Sequence, residues 1–224
     1  MIKFSRPGML ALLALFMFCA GVAAGPPNLV DVMAIMETAQ WRLAAPEFTI
    51  FVGGFTDLGG APITLGVTAI ACLYLVLRRL PVAALLLAVT VAAERLMVDQ
   101  LKEWVGRPRP SLEPLWLLPE SMAYPSGHAA NSMTAFVAVA MIATTMRWRW
   151  AASVAAVILS LLVGLSRVYL GVHWPSDVIG GWAFGLLAVG IALEIGRRSG
   201  ALPLEPKHDV VGGHFSPPGE DKPS

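Results

Sequence analysis

Between two long apolar runs the chain reads Ser166-Arg167-Val168-Tyr169-Leu170-Gly171-Val172-His173-Trp174-Pro175-Ser176-Asp177, bringing a guanidinium, an imidazole and a carboxylate close together in sequence. The planar fork of an Arg donates two parallel hydrogen bonds, a geometry suited to a tetrahedral oxyanion. Histidine can serve as nucleophile and as proton carrier near neutral pH. On one helical turn, an Asp four residues after a His reaches back to the ring and fixes its tautomer. These residue types at these spacings point to chemistry on a phosphoryl group.

Two further clusters carry similar chemistry. Lys102-Glu103-Trp104-Val105-Gly106-Arg107-Pro108-Arg109-Pro110 offers a point charge and planar guanidinium groups. Its prolines stop a helix, because Pro lacks the backbone donor and clashes with the preceding turn. Pro125-Ser126-Gly127-His128 precedes another apolar run, and so opens a helix. Helix N-termini present unpaired N–H groups and a partial positive charge, which favour an anion. There Gly127 permits close backbone approach, Ser126 adds a hydroxyl donor, and His128 can deliver a proton. Asp177, just after Pro175, falls in the first turn of the last helix, where a carboxylate is electrostatically favoured.

The elements that must position these clusters are membrane spans. Of 224 residues, 56% are hydrophobic and only 14% charged, with mean hydropathy +0.68. Soluble domains run at about 45–50% apolar and about 25% charged, so this is the composition of a membrane protein. A span needs about 20 apolar residues, and about six segments qualify, near Met9–Ala24, Ala61–Leu77, Val82–Val98, Ala129–Met146, Ala151–Leu165 and Val178–Ile195. The first, preceded by Lys3 and Arg6 and ending in Val22-Ala23-Ala24, reads as a retained span in preference to a cleaved signal peptide. The expectation is an all-α, polytopic helical bundle. A membrane-embedded domain covers residues 1–198, with its motif core at 101–181. Residues 199–224, rich in Pro, Gly and charge, read as a disordered cytoplasmic tail holding His208 and His214 in solvent.

Lys3 and Arg6, Arg78 and Arg79, Arg147 and Arg149, and Arg197 and Arg198 lie at alternate ends of these segments, which the positive-inside rule makes cytoplasmic. Lys102, Arg107, Arg109 and Arg167 then fall on the outer side, against the bias, and an anionic ligand gives them a reason. Val32, Ile35, Met36, Ala39 and Leu43 are spaced like one helix face, either a surface helix or a cap on the bundle. Arg95 and Asp99, four apart, are expected to pair, with Glu94 structural. Cys19 and Cys72 read as small buried hydrophobes, with no disulfide framework or zinc pattern. The net charge of +1 carries no message about nucleic acid, and no basic block supports such a partner, so none is expected.

Lys102 through Arg109-Pro110, Pro125-Ser126-Gly127-His128, and Ser166-Arg167 through His173 to Asp177 resemble the three-part signature of the type 2 phosphatidic acid phosphatase superfamily, with no substitution at the key positions. The superfamily also holds vanadium haloperoxidases and glucose-6-phosphatase. The resemblance implies that His173 attacks phosphorus and forms a phosphohistidine while Asp177 holds its ring. It also implies that Lys102, Arg109, Arg167, Ser126 and the Gly127 amide bind the phosphoryl oxygens, and that His128 protonates the departing oxygen. It implies no cofactor and no metal.

The membrane setting favours an amphiphile: a polyprenyl diphosphate, phosphatidic acid or phosphatidylglycerol phosphate. Leu112, Leu115, Trp116, Leu117 and Leu118 either dip into the interface beside the site or close the bundle. A lipid phosphotransferase would use the same residues, with a second headgroup replacing water. A transporter holding an anion would leave His173 and Asp177 unexplained, and its site would be expected near the bilayer midplane. The sequence leaves the oligomeric state open. It places the protein in a bacterial-type plasma (inner) membrane, with its active site on the periplasmic or extracellular side.

Overall fold

The computed structural model describes residues 6–111 and 121–202. Eight helices follow in order: α1 (Arg6–Ala23), α2 (Leu29–Ala44), α3 (Pro46–Thr56), α4 (Ala61–Leu77), α5 (Pro81–Val105), α6 (Gly127–Ile142), α7 (Met146–Tyr169) and α8 (Pro175–Arg198). A single 3-10 turn, Asp57–Gly59, joins α3 to α4, and no strand occurs among the described residues. The all-α expectation holds.

Boundaries follow local chemistry. Pro62, Pro81 and Pro175 stand in the first turns of α4, α5 and α8, where a missing N–H costs nothing. Gly106, at φ +63°, ends α5 in the left-handed conformation that favours glycine. At the start of α8 the Asp177 carboxylate accepts the Trp174 N–H at 2.9 Å. The residue expected to serve the chemistry therefore also caps its own helix.

Helix α6 is the axis of the bundle, buried on nearly every side and packed by α4, α5, α7 and α8. It is built largely of Ala, Ser, Gly and Met, small or adaptable residues that let helices approach closely in lipid. Its neighbours make room with glycine. A Cβ added at Gly181 would sit 2.7 Å from the Ser126 carbonyl oxygen, and one at Gly185 2.8 Å from that of Ala130. Gly164 of α7 similarly admits the ring of Trp182, whose Nε1 donates to the Ser160 carbonyl at 3.0 Å.

The count of about six spans needs adjustment. By length and hydropathy α5, α7 and α8 can each cross a membrane alone, and the stretch Pro46–Gly59 with Ala61–Leu77, bent by 42°, adds a fourth. Arg6–Ala20 and Gly127–Ile142 are apolar but shorter. At 1.5 Å per residue, 16 residues of α6 reach about 24 Å, short of a hydrocarbon core of about 30 Å. Enclosed by its neighbours, α6 has little lipid to match. Helix α1 joins the bundle rather than standing apart: Phe16 packs on Tyr124 and Phe184, and the Tyr124 hydroxyl donates to the Phe16 carbonyl at 2.9 Å.

Three other expectations change. The stripe of α2 that faces the protein is Asp31, Ile35, Thr38 and Arg42, while Met36 and Leu43 face outward, so the helix lies polar side in. Arg95 and Asp99 form no ion pair, and the buried Glu94 carboxylate has no hydrogen-bond partner on either oxygen. Beyond Arg198 the chain does not leave at once: Leu202 returns to pack against Gly196 and Leu86, its N–H bonded to the Gly196 carbonyl at 3.2 Å. Residues 203–224, with His208 and His214, lie outside the described residues, as do Lys3, Leu112, Leu115, Trp116, Leu117 and Leu118. Cys19 is buried, Cys72 partly so, and both are free.

If α6 and α8 meet through glycine, Gly185→Val should overpack their contact. Its thermal midpoint in detergent should fall, at a cost of about 1–3 kcal/mol. Gly66→Ala on α4, where a Cβ meets nothing within 4 Å, should leave the midpoint unchanged or raise it.

Candidate active site

The three clusters meet at one end of the bundle, carried by the C-terminal end of α5, the N-terminal end of α6, the C-terminal end of α7 and the N-terminal end of α8. His173 lies in the loop from Leu170 to Trp174 and is only 1% exposed. The loop turns at Gly171, φ +70°, where a Cβ would come within 2.9 Å of Arg42 Nη2. Arg42, rising from α2, also donates to the Tyr169 carbonyl and braces the loop from beneath.

The two faces of the imidazole see opposite charges. Nε2 lies 2.9 Å from Arg109 Nη1, and Nδ1 lies 3.5 Å from Asp177 Oδ2. An Arg can only donate, so Nε2 is the acceptor and Nδ1 carries the proton, facing the carboxylate. That leaves the Nε2 lone pair directed toward the cationic side, as attack on an anion requires. Asp177 thus faces the ring as expected, but at a distance longer than a hydrogen bond. Its shorter contacts are Arg107 Nη1 at 2.5 Å and the Trp174 N–H at 2.9 Å.

Around Nε2 stand the expected cations. Arg109 donates to the carbonyls of Ser121 and Val172, both at 2.7 Å, which holds its fork beside the ring. Arg167, 7% exposed, reaches Thr56 Oγ1 at 3.3 Å, and its Nε is buried without a partner. Lys102 sits beside the start of α6, its Nζ 3.5 Å from where a Gly127 Cβ would be. Ser126 is fully buried, with an unpartnered Oγ, and its N–H is fixed by the Asp177 carbonyl at 3.0 Å. His128 follows on the first turn of α6, near enough to Arg167, His173, Lys102 and Arg109 for their charges to bear on it. All eight residues expected from the sequence therefore gather at one end.

Several participants had no place in the sequence-derived set. Arg107 is 2% exposed and bridges Asp177 to Asp31 of α2, 2.8 Å from its Oδ2. Ser176, Asn28 and Thr56 complete the polar shell. Arg107 could have been suspected from its place against the positive-inside bias. Asp31 could have been read from the stripe 31, 35, 38, 42, whose spacing of four, three and four residues is one helical face.

Burial, followed by the charges of Arg109, Arg167 and Lys102, holds the His173 imidazole well below the usual histidine pKa. The ring is therefore neutral at physiological pH, as a nitrogen nucleophile must be. The unfolded chain takes up a proton at this residue as pH falls through about 6.5, whereas the folded protein does so only well below that. His173 thus contributes stability that is present above the unfolded pKa and lost on acidification below it. Scanning the thermal midpoint from about pH 8 to about pH 5 should show a fall on the acid side, and His173→Asn should make that fall shallower.

The model of the PAP2 superfamily matches residues 83–200, from α5 through α8 and hence all three clusters. The chain is 34% identical over 157 residues to phosphatidylglycerophosphatase B of Bacillus subtilis, covering 68% of this chain and 77% of that one. It is 44% identical over 82 residues to an undecaprenyl-diphosphatase of Sulfolobus acidocaldarius, covering 35% of this chain and 37% of that one. The crystal structure of a transmembrane PAP2-type phosphatidylglycerolphosphate phosphatase from Bacillus subtilis superposes with a TM-score of 0.76 at 27% identity, over 85% of this chain and 96% of that one. A family match over more than half of the chain, joined to a shared helical architecture, establishes that the chain belongs to the PAP2 superfamily.

Proposed function

We propose that this multi-pass membrane phosphatase hydrolyses the phosphate or diphosphate headgroup of a lipid through a phosphohistidine at His173. The observation that carries the reading is the polarised imidazole: Nδ1 faces Asp177, and Nε2 faces Arg109 within a cluster of three cations.

The proposed sequence of events uses only these side chains. A phosphoryl group enters among Lys102, Arg109, Arg167, Ser126 and the Gly127 amide, and Arg109 exchanges its contact with Nε2 for one with a phosphoryl oxygen. Nε2 then forms a bond to phosphorus while the bond from phosphorus to the lipid oxygen breaks, and His128, protonated as the phosphoryl anion offsets the neighbouring cations, gives that oxygen its proton. The ring gains positive charge as the bond forms, and Asp177 offsets it. Water, deprotonated by His128, then attacks phosphorus, releasing phosphate and restoring His173. Phosphoryl transfer asks a protein mainly for positioning and charge stabilisation, which four helix ends and three cations supply.

Three features support a lipid substrate. The Bacillus subtilis and Sulfolobus acidocaldarius relatives are named for phosphatidylglycerophosphate and undecaprenyl diphosphate. The site lies at the end of apolar helices rather than in a soluble cleft. An apolar cavity of about 710 Å³, lined by Trp41, Phe48, Phe51, Phe55, Leu162 and Leu165, opens between α2, α3 and α7. Ser166 also lines it and lies 2.8 Å from Thr56 Oγ1, the atom that receives Arg167, so an apolar chain there would run close beside its own phosphate. By the positive-inside rule the site faces the periplasmic or extracellular side of a bacterial-type plasma membrane. The catalytic unit extends over residues 1–198.

The test is phosphate release by purified protein in detergent from phosphatidylglycerol phosphate, phosphatidic acid and a polyprenyl diphosphate, with chelator present. Turnover of at least one substrate is expected, abolished in His173→Ala and reduced on the order of 10²–10⁴-fold in His128→Ala. Parental turnover by His173→Ala would show that another group attacks phosphorus.

A further inference from the structure

Asp177 can orient the ring only if its own direction is fixed, and two side chains outside the proposed reaction fix it. Arg107 turns its two terminal nitrogens to different carboxylates, Nη1 to Asp177 Oδ1 at 2.5 Å and Nη2 to Asp31 Oδ2 at 2.8 Å. Nη1 also reaches Ser176 Oγ at 2.7 Å, and the guanidinium lies over the Trp174 ring, 5.7 Å from its centroid. Asp31 in turn accepts from Ser176 N at 3.0 Å, Ser176 Oγ at 2.7 Å and Asn28 Nδ2 at 2.9 Å. Asp31 and Arg107 are each at most 2% exposed, and Asp177 is fully buried. Helix α2, the segment after α5 and the first turn of α8 are tied together through this one cluster.

We infer that Asp31 and Arg107 are positioning residues for the His173–Asp177 pair, acting through Asp177 without touching the phosphoryl group. Arg107 occupies Oδ1 and the Trp174 N–H occupies part of Oδ2, so the carboxylate is kept on the far side of the ring from Lys102, Arg109 and Arg167. Without Arg107 those cations would compete with His173 for Asp177. The contribution of Asp31 is charge. A guanidinium paired to Asp177 alone would draw off the negative field that must stabilise the ring as it becomes cationic. A second carboxylate on the same guanidinium offsets that pull and leaves Asp177 effective. The inference rests on the reading of His173 as nucleophile.

The test compares full-length Asp31→Asn and Ser176→Ala with the parent in detergent, using a lipid phosphate as substrate and inorganic phosphate as competitive inhibitor. Asp31→Asn keeps the shape and an acceptor for Ser176 N but removes the charge. Its kcat should fall about 10- to 100-fold while KM and the phosphate inhibition constant change less than about threefold. Ser176→Ala, which loses hydrogen bonds but no charge, should lower kcat about three- to tenfold with the same split. Glu47→Gln, an exposed carboxylate on α3, should behave as the parent. A purely structural role predicts otherwise: a lowered thermal midpoint with kcat intact, or KM and phosphate inhibition weakened as much as kcat, and either result overturns the inference. Should Asp31→Asn fail to fold, Ser176→Ala decides alone, and full parental kcat there rejects the positioning role. His173→Ala separates the two levels: if it is inactive while Asp31→Asn and Ser176→Ala turn over normally, only the positioning role is lost.

Discussion

A guanidinium shared by two buried carboxylates is the interaction on which the end of the bundle that carries the candidate site depends. Arg107 holds Asp31 on one side and Asp177 on the other, all three nearly without solvent contact. Ions buried this deeply cost several kcal/mol each to desolvate, and removing one partner of such a pair typically costs about 3–5 kcal/mol. The arrangement is tolerable because each carboxylate is further hydrogen-bonded, Asp31 by Ser176 and Asn28, Asp177 by the Trp174 amide.

Helix packing delivers those charges to one place. In an up-and-down bundle every second helix end lies on the same face, so the end of α5, the start of α6, the end of α7 and the start of α8 coincide. What brings α6 and α8 close together is the absence of side-chain volume at Gly181 and Gly185, where α8 lies against the backbone of α6. Membrane helices gain little from hiding apolar surface from lipid, so close backbone approach through small residues carries more of the association. The same contact places the Asp177 carbonyl on the Ser126 N–H, joining the capped start of α8 directly to the start of α6.

How much of this could be read from the chain depended on the physical range of each signal. Helix existence, proline starts and the three clusters are local, and they were legible; His128, His173 and Asp177 emerge where spacing and type place them. The count of about six spans is only approximate because hydropathy cannot distinguish a helix facing lipid from one buried inside the bundle, and α6 is the latter. The Asp31–Arg107 link joins residues 76 apart in sequence, beyond any spacing rule. An Arg95–Asp99 pair was expected from a spacing of four, which makes contact possible without requiring it.

Helix α2 shows why the missed residues were hard to see. In a soluble protein its apolar residues would mark the inward face, and Met36 and Leu43 would be core. Here Leu29, Val30, Met33, Met36 and Leu43 are the exposed ones, while Asp31, Thr38 and Arg42 are buried. Lipid on one side reverses the usual preference, because an unpaired polar group is costly there whereas an apolar one is not. The polar stripe must therefore find its partners inside the protein, and it finds them in the loop and helix start that carry His173 and Asp177. A charged residue on a membrane-surface helix is thus better read as an inward contact than as a solvated face. Asp31, which looks like an incidental acid in an apolar segment, is where that rule reaches the chemistry.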